Sequence, residues 1–165
     1  EIPLPALGES WILRYRGTSS RQVRARESRS SQLLVSGGIQ NNREVMMGLR
    51  RWLARKARSS LVPWLDELSV LSGLPYGRVS IRGQRTRWAS CNSRGNINLN
   101  YRLLFLEPDV VRYILHHELC HTVHLDHSRS FWSMVAALEP QYRNYREIAR
   151  KSMGEVPQWA RIRER

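Results

Sequence analysis

Two histidines four positions apart, with a glutamate beside the first, occur at His117-Glu118-Leu119-Cys120-His121. On a helix, residues i and i+4 project from one face, a turn apart. Both imidazoles can therefore grip one metal ion while the glutamate lies next to it. Histidine nitrogens suit Zn²⁺, and a catalytic zinc site takes three protein ligands and leaves a position open for water. A zinc-activated water beside a carboxylate base is the chemistry of amide hydrolysis. His117 and His121 are thus candidate ligands and Glu118 a candidate general base. For the third ligand there are two candidates downstream, His124 and His127. His127 comes six residues after His121, and six residues turn a helix by about 600°, off the ligand face. The helix must then break between His124 and Asp126 for His127 to return. His and Asp both tolerate the left-handed backbone expected at such a break.

The segments around this stretch show what could position it. Val110, Val111, Ile114, Leu115, Leu119 and Val123 recur at helical intervals, so the two-histidine motif falls inside an apolar helix. Glu107-Pro108-Asp109 opens that helix, with proline in the first turn and an acid complementing the dipole. His116 points about 100° away from His117, and Cys120 reads as a small buried residue. After His127, Ser128 starts an amphipathic helix through Leu138, Pro140 interrupts it, and a further helix runs from Tyr142 to Met153. Tyr142 follows the third-ligand segment and is a candidate for stabilising an oxyanion.

Upstream lie three short strand-like runs, Val79 to Ile81, Thr86 to Cys91 and Asn96 to Tyr101. In the last, Ile97, Leu99 and Tyr101 alternate with Asn96, Asn98 and Asn100, so one side is buried and the other polar. At a sheet edge beside the metal, such a strand could receive an extended peptide, with Asn96, Asn98 and Trp88 as candidate substrate contacts. Cys91 reads either as a core thiol or as an inhibitory thiolate able to reach the metal. Arg82, Arg85 and Arg87 fit substrate anions or an ordinary charged surface.

Further back, residues 11–16, 21–28 and 32–35 read as strands of an antiparallel meander carrying Arg14, Arg16, Arg24 and Arg26 outward. Gly37-Gly38 ends it. A helix capped by Asn41 or Asn42 then runs to about Ser60, and a second piece starts at Pro63 and reaches Leu71. Met46, Leu49, Leu53 and Ala57 form its core stripe. At 165 residues and 41% hydrophobic composition, the expectation is one domain over 1–153. Within it, 1–38 is the basic strand segment, 41–72 the helices and 78–153 the catalytic part. Residues 154–165 form a charged, frayed tail that includes Arg161, Arg163 and Arg165.

No apolar run approaches the 18 residues or so that would span a membrane. Two cysteines are too few for a secreted disulfide scaffold and fit a reducing cytoplasm. The net charge of +13 is unevenly spread, with +8 in residues 1–60, +4 in 61–105 and +1 in 106–165. Twenty-five of the 27 basic residues are arginine, which forks onto phosphate or carboxylate. Such a basic flank fits either polyanion contact, with Arg14, Arg16, Arg24 and Arg26 as candidate nucleic-acid contacts, or a solvated surface.

Four segments together resemble the YgjP-like zinc metallopeptidases, relatives of the SprT-like and WLM proteases. They are Arg82-Gly-Gln84-Arg-Thr86-Arg87-Trp88-Ala-Ser90-Cys91, Gly95-Asn-Ile-Asn-Leu-Asn100, His117-Glu-Leu-Cys-His121 and His127-Ser-Arg-Ser-Phe131-Trp132. The resemblance covers about the C-terminal half in order and spacing. It implies a compact α+β, zincin-like metallopeptidase domain with N-terminal antiparallel strands, a long helix, a small mixed or antiparallel sheet and an active-site helix. It also implies one zinc per chain held by His117, His121 and His127, Glu118 as general base, a protein or peptide substrate, and work near DNA. A monomer is expected. The rival reading is a nucleic-acid-binding module whose zinc is structural. Glu118 speaks against it, since a structural site is typically closed by four Cys or His ligands.

Overall fold

The computed structural model describes residues 1–161. Four N-terminal strands, β1 (Ile2–Leu4), β2 (Glu9–Gly17), β3 (Arg24–Ser28) and β4 (Gln32–Gly37), form one sheet in the order β1-β2-β4-β3. It is not the expected antiparallel meander. β4 runs parallel to β2 and antiparallel to β3, so the chain reaches the edge strand first and then fills the gap. Burial explains the order. Leu33 and Val35 of β4 are fully buried, whereas β3 buries Ala25 and otherwise exposes charge, as an edge strand does. The register aligns Arg14 with Leu34 and Arg26, and Arg16 with Ser36 and Arg24. All four arginines therefore stand on one exposed face.

Helix α1 (Asn42–Ser72) packs against this sheet. The Asn41 side chain accepts from the Arg43 and Glu44 N–H groups at 3.0 and 3.4 Å, and Gly73 ends the helix in the left-handed conformation. Gly48 permits the close approach to β3, since a Cβ there would meet the Val23 carbonyl at 2.9 Å. The helix is continuous through Pro63, where two pieces were expected. An internal proline costs about 3 kcal/mol. Leu61, Leu65 and Leu68, buried on the far side, each return roughly 1.5–3 kcal/mol, and Pro63 itself lies on the exposed face.

A second sheet, β5 (Val79–Arg82), β6 (Ala89–Cys91) and β7 (Ile97–Asn100), has the order β5-β7-β6. The asparagine-bearing strand is thus central, and β6 is the edge that faces α2 (Pro108–Cys120). Helices α3 (Arg129–Leu138) and α4 (Tyr142–Ser152) close over α2. Short α5 (Gln158–Arg161) follows. The stretch expected to fray is packed as far as Arg161. Val156 and Ala160 are buried, and the buried Arg102 guanidinium donates to the Ala160 and Arg161 carbonyls at 2.7 and 2.6 Å. The remaining tail, with Arg163 and Arg165, lies outside the described residues. Among the described residues, no helix is long and apolar enough to cross a membrane.

Candidate metal centre

Helix α2 delivers His117 and Glu118 in its last turn, and His121 caps it. The chain then tightens. Thr122 and Val123 donate to Leu119 and Cys120, three residues back, and His124 donates to Cys120. This turn replaces the left-handed break expected between His124 and Asp126. Among the described residues, Ser30 and Ser31 are the non-glycine positions with positive φ. Ser128 then caps α3 by accepting from the Phe131 N–H at 3.3 Å. That cap sets His127 just ahead of the new helix and swings it back over His117.

The three rings converge. His117 Nε2 lies 3.2 Å from His121 Nε2 and 3.2 Å from His127 Nε2. Bonds of 2.0–2.1 Å from a tetrahedral zinc would set such nitrogens about 3.3–3.4 Å apart. The His121 Nδ1–H donates to the His124 carbonyl at 2.8 Å, so its Nε2 carries a bare lone pair directed at its neighbours. Burial and the two other imidazoles push His117 down to about 3, keeping it neutral. Burial lowers His127 as well. Lone pairs facing one another at this distance repel unless a cation lies among them, so the residues fit a metal ion. His124 contributes its carbonyl, and its ring lies outside the cluster.

Phe131 is the floor of the arrangement. It is fully buried and its centroid sits 4.9, 4.4 and 4.9 Å from the rings of His117, His121 and His127. Trp132 stacks on His127 at 5.6 Å. Behind α2, the buried Glu139 carboxylate receives His116 Nδ1 at 2.8 Å and Arg112 Nε at 2.8 Å. This ties the end of α3 to α2. His116, which points away from the cluster, is therefore a brace.

Glu118 lies on the side of α2 that meets β6. Its Oε2 is buried with no hydrogen-bond partner among the described residues, and burial pushes its carboxyl up to about 8 against a lowering by Arg87. A pocket of about 260 Å³ opens there, lined by His117, Glu118, Tyr113, Ile114, Arg87, Trp88, Ala89, Arg146, Ala149 and Arg150. Trp88 belongs to it, with its indole N–H donated to the Ala149 carbonyl at 2.7 Å. Asn96 and Asn98 do not. Asn96 Oδ1 accepts from the Arg78 N–H at 2.8 Å and Asn98 Oδ1 from the Ser80 hydroxyl at 2.5 Å, so their amides bind β5 and its approach. Tyr142 is separated from the histidines by Trp132, on which it stacks at 5.2 Å, and its hydroxyl accepts from Arg143. Cys91 is half-buried, and burial pushes its thiol up to about 11, which favours the neutral form. Arg14, Arg16, Arg24 and Arg26 lie on the N-terminal sheet, away from the pocket lining.

Two residues of the site escape the sequence reasoning. Tyr113 Oη is 3.5 Å from His117 Nδ1, and its place four residues before His117 is the signal that could have found it. Arg146 holds its guanidinium 4.8 Å over the Trp132 ring. It comes one turn after Tyr142, and no pattern in the sequence sets it apart from the other arginines of α4.

The profile of the family described as YgjP-like, metallopeptidase domain, matches residues 1–151. Among solved structures, the crystal structure of the metallopeptidase zymogen of Pyrococcus abyssi abylysin is similar, at 31% sequence identity and a TM-score of 0.47. The match covers 56% of this chain and 90% of that one. No curated protein sequence matches this chain.

Proposed function

Because the chain belongs to the YgjP-like metallopeptidase domain family, we propose that it is a zinc-dependent peptidase. In this reading it holds one zinc per chain on His117, His121 and His127, with Glu118 as the general base and residues 78–153 as the catalytic part. One observation carries it: three imidazole nitrogens converge beside a buried carboxylate oxygen that has no partner among the described residues. When bound, zinc supplies Lewis acidity that polarises the scissile carbonyl and brings the pKa of a water toward about 7.

The residues of the chain do the rest. Glu118 takes a proton from the attacking water on its carboxylate and returns it to the nitrogen of the leaving amine. Arg87 favours the ionised form that the first transfer requires. The His124 carbonyl and Phe131 hold the second ligand, and Glu139 ties the end of α3 to α2 through His116 and Arg112. β6, at the edge of its sheet beside Glu118, offers an extended substrate a strand to lie against. Protein loaded with zinc and freed of excess should contain about one zinc per chain by elemental analysis and cleave a denatured protein. Glu118→Gln should keep the zinc and lose the cleavage. A variant as active as the parent would remove Glu118 from the mechanism.

Action near DNA is part of the same reading, supported by the four arginines on one face of the N-terminal sheet. A groove of about 550 Å³ alongside is lined by Arg24, Arg26, Arg51 and Arg55 with no acidic residue in its lining. Affinity for single- or double-stranded DNA should fall steeply with salt. Affinity that ignores salt would remove this part and leave the peptidase intact.

A further inference from the structure

The pocket beside Glu118 combines an apolar floor with a cationic rim. Trp88, Ala89, Ile114 and Ala149 form the floor, and three arginine side chains surround it. The three are not equivalent. Arg150 is paired with Glu147 through contacts of 2.9 and 3.2 Å. Among the described residues, neither Arg87 nor Arg146 forms an ion pair with a carboxylate. Arg146 is instead steadied from below by the Trp132 ring at 4.8 Å, an arrangement that leaves the edge of the guanidinium, where its N–H groups point, free to bind. Both act electrostatically on the centre, Arg87 on Glu118 and Arg146 on His117 and His127. Two guanidiniums outside any ion pair thus flank a slot whose base is hydrocarbon and whose inner end is lined by His117 and Glu118.

We propose that this pocket is a carboxylate subsite, in which a substrate carboxylate next to the scissile bond binds between Arg87 and Arg146 with its methylene groups against Trp88 and Ile114. The proposal rests on the peptidase reading and names a substrate class for it. Two sources can present that chemistry, an acidic side chain or the free end of a chain. A guanidinium binds either by paired N–H donors.

The test uses the full-length, zinc-loaded protein and internally quenched peptides that differ only at one position flanking the cleaved bond. The peptide with Glu there should be cut with a kcat/KM about tenfold above that of its Gln twin, the scale of one charge-assisted contact at a partly open site. A second pair, identical except for a free or an amidated C-terminus at that position, separates the two sources. Selectivity in either pair supports the subsite and names the source, and selectivity in neither overturns it. In Arg87→Gln/Arg146→Gln the Glu-to-Gln ratio should fall toward one, and in Arg146→Glu a Lys peptide should overtake the Glu peptide. A ratio that survives both variants overturns the assignment. So does one that drops equally in Arg14→Gln, since that points to overall charge. If the wild-type protein cuts none of the peptides, the peptidase reading fails by itself. Fluorescence anisotropy of labelled Glu and Gln peptides on zinc-loaded Glu118→Gln then decides the subsite by the ratio of the two Kd values.

Discussion

The N-terminal sheet and the packed helices α2 and α3, between which the three histidines meet, use polar residues in opposite ways. On the sheet, charge is spread over an outer face. Arg14, Arg16, Arg24 and Arg26 are exposed, and beneath them an apolar layer of Leu33, Val35, Trp11 and Trp52 does the packing. Around α2 and α3 the polar groups are inside. His116, His121, Glu118 and Glu139 are all buried; His116 and Glu139 hold each other and His121 holds the His124 carbonyl, whereas Glu118 Oε2 has no hydrogen-bond partner among the described residues. A solvated charge contributes little to stability, whereas a buried charge without its partner is costly. The contrast teaches where substitution should hurt. The first region should absorb change and the second should not, and the unmatched Glu118 oxygen is the place where the second region leaves a buried polar atom without a partner.

The largest effect should follow from His121→Ala or His127→Ala. Zinc affinity should drop by more than the roughly 10- to 100-fold that follows removal of an outer partner of a ligand, and elemental analysis after dialysis should find the metal gone. Glu118→Gln should retain zinc and lose about 10²- to 10⁴-fold in kcat, the contribution of a general base. Phe131→Ala should cost about 3–5 kcal/mol by denaturant unfolding. Unlike an ordinary core cavity, it should also weaken metal binding, because the same ring packs against all three histidines. Glu139→Ala takes the buried anion from His116, leaves Arg112 with Asp109 alone, and should cost up to a comparable 3–5 kcal/mol or so. A loss under about 1 kcal/mol in either variant, the scale of an exposed ion pair, would erase the contrast between the two regions.

A smaller effect should appear in the pH dependence of the metal-free protein. The folded chain binds a proton on His117 only near pH 3, against 6.5 for an ordinary histidine, while Glu118 keeps its proton to about 8, against 4.5. Of these two groups only His117 differs between states below 4.5, and the lowered His127 and Glu147 act in the same direction. The unfolded chain binds the extra proton, so stability falls as the pH drops toward 3. Above 6.5 only Glu118 differs. There the folded chain holds the extra proton, so stability falls as the pH rises toward 8. Between 4.5 and 6.5 the two slopes oppose each other. Thermal melts in chelator should therefore give the highest Tm in that window, and Glu118→Gln should flatten the alkaline limb alone. The smallest effect belongs to the outer face of the sheet. Replacing Arg14, Arg16, Arg24 and Arg26 with glutamine together should change stability by no more than about 1 kcal/mol. The salt slope of DNA binding should meanwhile become shallower by about one for each phosphate that the variant no longer neutralises.

Much of the site is legible in the sequence because its parts are local. The four-residue spacing of His117 and His121 needs only a helix, and Ser128 is legible as the start of the next one, although the left-handed break expected before His127 is a tight right-handed turn. What needs neighbours in space is not legible. Alternation in 96–101 separates the two faces of a strand but says nothing of its place in the sheet, so β7 passes for an edge and Asn96 and Asn98 for substrate contacts. The same limit hides the parallel pairing of β2 with β4, since a period of two names no partner. Pro63 is a break by local rule and is overruled by the leucines packed behind it. The tail reads as frayed by its charge, although Val156 and Ala160 are there to be buried and Arg102 to hold the Ala160 carbonyl.

One detail of the centre bears on how such a site tolerates drift. His121 is oriented by the main-chain oxygen of residue 124 and not by a carboxylate. The side chain at that position is therefore free to vary, and a survey of substitutions there should find the site blind to chemistry. The spacing between His121 and that oxygen is not free. Adding or deleting one residue in 122–126 would carry the oxygen away from the ring and His127 out of reach, so this turn is permissive in composition and strict in length.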